Sequence, residues 1–365
     1  MNDVARLKEV ETQARFGTQL NSHQEVALQY IGKGWSVVRL GPGSKKYTKA
    51  GKEADRLTTD NVATNLNTNH NVGILLGMES GWLIDVDLDW STARLLAPEV
   101  LDEFGFLPSF GRSSLTHPGH ALVVADGAAS VQFTLPSGVD TARLPSAHAT
   151  CVLELRASGH VVAPPSTYSD DDACVWFREG EPPSVEYAEL RRRLGTLAFL
   201  ALCLQLYPER GARDNLALAM AGALCGAGFS PEEVDQWITL VAREAGDDEW
   251  QDRAKAARTQ RIRDAGGATT GLRTVCTILG LPDTCVKCLA DWLHPEAERT
   301  VAPAGARLID ANDPRAIAQT FLNERYTLED VVTLIRYREE FFAYSAGAYG
   351  QVEDEALHGE LWTFL

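Results

Sequence analysis

The stretch Gly81-Trp82-Leu83-Ile84-Asp85-Val86-Asp87-Leu88-Asp89-Trp90 constrains this chain more than any other. Side chains on a β-strand alternate between its faces. As a strand, the stretch therefore sets Trp82, Ile84, Val86, Leu88 and Trp90 on one side and Asp85, Asp87 and Asp89 on the other. The apolar side demands a packed core. The acidic side admits two readings. Carboxylates that converge in a cleft are costly to keep ionised unless cations, usually hard divalent metals, sit between them. On a solvated edge strand the same charges would only deter pairing with other chains.

A chain of 365 residues normally forms more than one domain and can bury sizeable cores. The formal net charge of −16 argues against a protein that simply coats nucleic acid, so any such contact needs local basic patches or bound metal. Seven cysteines, and a polar start at Met1-Asn2-Asp3-Val4-Ala5-Arg6 with no secretory or membrane-spanning stretch, fit a reducing, cytoplasmic setting.

In chain order, Ser22-His23-Gln24-Glu25 reads as a capping box, followed by Val26, Ala27, Tyr30 and Ile31 at helical spacing and a stop near Gly32-Lys33-Gly34. Trp35 to Leu40 reads as a strand. The loop Gly41-Pro42-Gly43-Ser44-Lys45-Lys46 is superficially like a phosphate-binding loop but lacks its Gly-Lys-Ser/Thr ending. Lys45, Lys46, Lys49 and Lys52 then form a mobile basic loop, either plain surface or a phosphate or template contact. Thr59-Asp60 can cap a short helix, Asn71 to Gly77 reads as a buried strand, and a helix through Ser91 to Phe104 puts Leu95, Leu96, Val100, Leu101 and Phe104 on its core side. A Pro118-Gly119 turn delivers His120 at the mouth of a strand, where an imidazole serves either as a structural hydrogen-bonder or as a donor to phosphate. Cys151 to Arg156 sets Val152, Glu154 and Arg156 on one strand face, most simply a cross-strand ion pair. Val161-Val162-Ala163 then runs into Pro164-Pro165, where pairing ends.

The ordered set of a helix, a Gly34-Trp35 strand, a basic loop, Asn71-Val72-Gly73, Asp85-x-Asp87, His120, Glu154 and Val161-Val162-Ala163-Pro164-Pro165-Ser166 resembles the bifunctional primase–polymerase domain of the archaeo-eukaryotic primase superfamily over residues 20 to 180. The resemblance implies a catalytic core related to the RNA-recognition fold, with Asp85 and Asp87 as paired metal ligands. Glu154 falls where the family has its third acid, usually Asp, and His120 on its nucleotide-binding histidine. It implies two Mg²⁺ or Mn²⁺ ions, with His120 and Arg156 neutralising a nucleoside triphosphate. Pro118 departs from the serine common two places before the histidine, and Asp89 is an additional acid, read as a bystander or outer partner.

Beyond Tyr187 the texture becomes helical. Thr196 to Leu206 is too short to span a bilayer and reads as a core helix. Asp214 can cap a helix to Cys225, Ser230-Pro231-Glu232-Glu233 opens another, and Asp248 to Asp264 carries Arg253, Lys255, Arg258, Arg261 and Arg263. Arg253, Arg258 and Arg261, like Lys45 and Lys46, are candidate nucleic-acid contacts, with a solvated face balanced by nearby acids as the plain alternative. Cys276, Cys285, Cys288 and His294 include half a zinc-knuckle spacing, but the thiols lie one turn apart on a helix over Thr284 to Leu293, so zinc is not expected. Asp313-Pro314 opens a helix to Arg325. Val332 to Tyr337 with Phe341 to Tyr344 reads as a hairpin closed around Ser345 to Ala348, and Glu353 to Leu365 as an amphipathic helix.

The expected architecture is α+β: a primase catalytic core like the RNA-recognition fold (21–184), then an all-α primase C-terminal domain (185–298). A polar segment (1–20) precedes it; a linker (299–312) and the truncated start of a helicase-associated domain (313–365) follow. The resemblance implies a DNA primase and polymerase of a phage or plasmid, acting in a bacterial host's cytoplasm on single-stranded DNA with NTP or dNTP. A helicase would lie further along the same chain, and no membrane is involved. A non-catalytic, helicase-recruiting DNA-binding module and a metal-dependent nuclease are the alternatives.

Overall fold

In the computed structural model, helix α1 (Ser22–Gly32) is capped by Asn21 rather than Ser22. The Asn21 carboxamide accepts from the N–H groups of His23 and Gln24, and the Gln24 carboxamide accepts from the Asn21 N–H. The Gln24 Nε2 also donates to the carbonyls of Ala63 and Leu66, which fixes the helix register. The structure describes residues 20–48, 51–105, 107–145, 150–169, 172–265, 267 and 269–294. Further along it describes 318, 321–322, 325–328, 331–337, 340–345, 348–352 and 357.

Strands β1 (Val37–Leu40), β2 (Arg56–Leu57), β3 (Asn71–Leu75), β4 (Leu83–Asp87), β5 (Ser109–Arg112), β6 (His120–Val124), β7 (Val131–Thr134), β8 (Cys151–Arg156), β9 (His160–Ala163), β10 (Thr167–Ser169) and β11 (Asp172–Arg178) follow. They make a smaller antiparallel sheet, β2-β1-β3-β9, and a larger one, β10-β11-β5-β6-β4-β8-β7. β1 starts later than Trp35 because the Trp35 N–H closes the end of α1 on the Tyr30 carbonyl, 3.1 Å away. The short helix after Thr59-Asp60 begins at Val62. Between β4 and β5, α2 (Ser91–Val100) ends in a tighter turn over Asp102–Phe104 instead of running on as one helix.

The helical part contains α3 (Tyr187–Gln205), α4 (Arg213–Gly226), α5 (Pro231–Glu244), α6 (Ala256–Asp264), α7 (Leu272–Leu279) and α8 (Thr284–Leu293). Ser230 and Glu233 form the expected reciprocal cap of α5. Asp214 does not cap α4; its carboxylate takes Arg253 at 3.2 Å and Lys255 at 3.1 Å. The span expected as one helix from Asp248 is broken into a turn at Trp250–Arg253 and α6, because Arg253 is drawn inward and the Ala256 N–H is held by Asp235 at 2.8 Å.

The chain divides into two compact units, Met1–Pro295 and Glu296–Leu365. Within the first, one apolar cluster runs from Ile84, Val86, Leu153 and Leu155 to Leu197, Leu224, Val241 and Leu289, so the helices roof the reverse face of the larger sheet. Residue 185 marks the change from strand to helix, and the two parts share this cluster. At Gly195 a Cβ would lie 1.9 Å from the Trp292 carbonyl, so only glycine lets α3 and α8 touch. A second cluster joins α1 and the smaller sheet to Leu83, Phe110 and Leu122. In the second unit, β12 (Thr327–Leu328) pairs with β13 (Val331–Val332), and β14 (Leu334–Tyr337), β15 (Glu340–Ser345) and β16 (Ala348–Val352) form a meander. The expected hairpin there gains a third strand, and Tyr337 pairs with Glu340 at its first end. The helices expected over 314–325 and 353–365 lie mostly outside the described residues.

Candidate active site

β4 is an inner strand of the larger sheet, which rules out the edge-strand reading. Asp87 stands opposite His120 on β6 and Glu154 on β8, while Asp85 stands opposite Leu122 and Arg156. Opposed residues of an antiparallel pair share a face. Strict alternation thus delivers two aspartates, a glutamate, a histidine and an arginine to one surface, while Ile84 and Val86 enter the core behind it. Leu83, at the near end of that surface, is wedged between the sheets. Asp85 is consequently fully buried, whereas the Asp87 side chain, nearer the open end, keeps 24% of its exposure. Strand pairing ends at Asp87, where the Leu88 N–H leaves the ladder for the Gly119 carbonyl, but Leu88 and Trp90 still bury in the core with Ile84 and Val86; Trp82, left-handed at φ +64°, is the residue that departs from the expected face.

His120 Nδ1 lies 3.2 Å from both Asp85 carboxylate oxygens and 3.6 Å from Asp87. Arg156 Nη1 approaches the same acids at 3.6 and 3.8 Å. Phe110, opposite His120 on β5, stacks on the imidazole at 4.9 Å and fixes its plane. Burial pushes the Asp87 carboxyl up to about 6, with Asp85 and Asp89 adding to the effect and His120 and Arg156 opposing it. Burial alone would lower His120, but the Asp85 and Asp87 carboxylates outweigh it and hold the imidazole above its ordinary value. Asp85, Asp87 and His120 each offer a ligand atom within 4.8 Å of the others. Two carboxylates with one imidazole suit Mg²⁺ or Mn²⁺, the nitrogen favouring Mn²⁺.

Glu154, although opposite Asp87, turns its carboxylate to the Gln132 amide and stays outside that ligand group. Arg156 also donates to the His160 carbonyl at 2.7 Å, which ties β8 to β9. Lys45 lines a cleft of about 280 Å³ together with Asp87, Asp89, Arg94, Arg112 and His120. Its loop is anchored: the His160 imidazole meets the Lys45 carbonyl at 2.7 Å, and Asn71 Nδ2 donates to the Ser44 carbonyl at 3.1 Å. This replaces the expectation of a mobile loop at that position. Lys46 is exposed. Lys45 and Arg112 face the Tyr168 ring at 5.8 and 4.4 Å.

Of the basic residues near α6, Arg258 and Arg261 are exposed, but Arg253 is not available to phosphate. Its guanidinium is buried against Asp247, Asp214 and Glu249, because a charge run in sequence does not reveal which member turns inward. Cys276 and Cys285 are buried among the helices, and Cys288 donates to the Thr134 carbonyl. Burial pushes the thiols of Cys276 and Cys288 up to about 11 and about 12. Arg94, Arg112, Phe110 and Tyr168 were not singled out as site residues by sequence reasoning. Only Arg112 carried a local sign, a cation closing the short strand Ser109-Phe110-Gly111-Arg112.

An acid pair with Asp85 buried and Asp87 half-buried, balanced by an imidazole and a guanidinium beside a cleft lined by further cations, could hold a metal ion. Residues 27–190 match the family model described as bifunctional DNA primase/polymerase, N-terminal. That part of the chain belongs to the primase–polymerase family of the archaeo-eukaryotic primase superfamily, whose members are metal-dependent and take DNA and nucleotides as substrates. No curated protein matches the chain. Among the described residues, no helix is long and apolar enough to cross a membrane.

Proposed function

We propose that the chain is a DNA primase and DNA polymerase that synthesises and extends primers on single-stranded DNA by two-metal nucleotidyl transfer. It would serve phage or plasmid replication in a bacterial cytoplasm and be joined to a helicase. The supporting observation is the convergence of Asp85, Asp87, His120 and Arg156 on one face of β4 and its neighbours, at the cleft that Lys45 and Arg112 also line.

In this reading Asp85 and Asp87 hold the ions, and Glu154 completes the set by rotating from Gln132. Bound Mg²⁺ or Mn²⁺ supplies Lewis-acid stabilisation of the attacking and leaving oxygens. His120 has Nδ1 committed to Asp85 and so presents Nε2 to a phosphate oxygen. Lys45, Arg112 and Arg156 neutralise the triphosphate, whether of NTP or dNTP, and stabilise charge as it develops on the leaving group. Exposed Arg258 and Arg261 offer template phosphate contacts.

The test is a double variant, Asp85→Asn with Asp87→Asn, assayed for incorporation on a single-stranded template after its melting curve shows it folded. Incorporation should be abolished; normal synthesis by the folded variant sinks the proposal. DNA shortening without added nucleotides would mark a nuclease, and DNA binding without either reaction a recruiting module.

A further inference from the structure

A second cleft, of about 370 Å³, lies between the first turn of α2 and the loop joining β5 to β6. None of its described lining residues is an acid, in a chain of net charge −16. Ser91, Thr92 and Thr116 offer hydroxyls, His117 an imidazole and Arg94 a guanidinium that also donates to the Asp89 carbonyl at 3.0 Å, while the Ser114 hydroxyl is taken by Asp172 at the rim. The Thr92 Oγ1 is buried and makes no hydrogen bond. A buried hydroxyl left unpaired costs about 1–3 kcal/mol, so the folded chain maintains a donor with nothing to donate to. α2 also begins without a side-chain cap, and its first-turn N–H dipoles add to the positive potential. Arg94 and Leu115 line both this cleft and the one beside Asp87 and His120, so the two adjoin.

We propose that this cleft is a phosphodiester subsite for a nucleic-acid strand, next to the reacting centre; the proposal rests on the primase–polymerase reading. Arg94 and the Thr92 hydroxyl donate to the phosphate oxygens, and His117 and the Thr116 hydroxyl close the other side. The apolar walls, Leu95 and Leu115, pack against the sugar. Released pyrophosphate shares the phosphate chemistry, but it has no apolar part to set against those leucines.

The experiment measures fluorescence anisotropy of a labelled single-stranded oligonucleotide, without nucleotide, over a range of salt concentrations. Thr92→Val removes only the unpartnered hydroxyl, so it should melt no lower than the parent while weakening oligonucleotide binding roughly 3- to 10-fold. Arg94→Gln should weaken binding and flatten the slope of log K against log salt by about 0.7, the contribution of one single-strand phosphate contact. Oligonucleotide affinity unchanged in both variants overturns the proposal. So does a loss confined to competition by inorganic pyrophosphate, which would make the cleft a product exit. Because no turnover is needed, the outcome is independent of the catalytic reading: a parent that binds DNA through Thr92 but incorporates nothing would fail only that reading.

Discussion

Replacing Asp247 by Asn should loosen the helical part. The Asp247 carboxylate is 2% exposed and accepts from Arg253 Nε at 2.8 Å and Nη2 at 3.3 Å, Arg213 Nη1 at 3.1 Å, Tyr207 Oη at 2.8 Å and the Glu249 N–H at 3.1 Å. Asn keeps the shape and one acceptor oxygen but removes the charge opposite a buried guanidinium. Breaking a buried pair costs about 3–5 kcal/mol. Exposed Asp214 and Glu249 still reach Arg253, which favours the lower end, about 3 kcal/mol. Against a typical total of about 5–15 kcal/mol this should lower the melting temperature by roughly 6–12 °C.

The pH dependence has a definite sign. Burial would raise the Asp247 pKa, but Arg253, the Glu249 N–H and Tyr207 outweigh it and hold the carboxyl well below the usual range. A depressed acid contributes stability that is complete above its unfolded pKa of about 4 and is lost as pH falls through the folded value. The parent should therefore weaken steeply below about pH 4, and Asp247→Asn should be weaker at pH 7 with a flatter acid limb. Urea unfolding at pH 7 and pH 3.5 measures both. A loss under about 1 kcal/mol at pH 7, or parallel acid limbs, would refute the assignment of this cluster as a buried ionic clamp.

Two further substitutions probe the site. A Cβ at Gly111 would lie 2.8 Å from the Gly119 backbone nitrogen, so Gly111→Ala should push the turn that delivers His120. Incorporation should fall at least about tenfold for a stability loss of about 1–3 kcal/mol, and parallel rate and melting measurements would reveal unchanged incorporation as a contradiction. His160→Phe keeps an aromatic ring beside Tyr47 but drops the bond to the Lys45 carbonyl. It should raise KM for the nucleotide roughly 3- to 10-fold with kcat little changed, whereas a lower kcat at constant KM would show that Lys45 is not placed by this bond.

The local parts of this fold were legible in the sequence. The β4 alternation, the Ser230 cap and the α8 span each follow from residues within a few positions of one another, and each is found. The assembly of the cleft was not legible, because Lys45, Arg94, Arg112 and Tyr168 are far apart in sequence and meet only through sheet order. Arg253 looked like its exposed neighbours because polarity alone does not say which arginine faces a buried aspartate. The Asn21 cap was read one residue late because Ser22 is an equally good capping residue; Gln24, drawn toward Ala63 and Leu66, decides between them. The strand-to-helix change after β11 was legible because texture is local, whereas the core that α3 shares with the sheet was not.

That shared core sets an order of events during synthesis. Ile84, Val86, Leu153 and Leu155 share their cluster with α2 as well as α3, so that side of the sheet is only partly covered until α3 has left the ribosome. The hundred residues from Asp87 to Tyr187 take about 5–20 s to make, during which a greasy sheet face waits with its lid incomplete. A nascent chain stalled after β11 is thus a natural client for chaperones, and a gene trimmed there should yield aggregate.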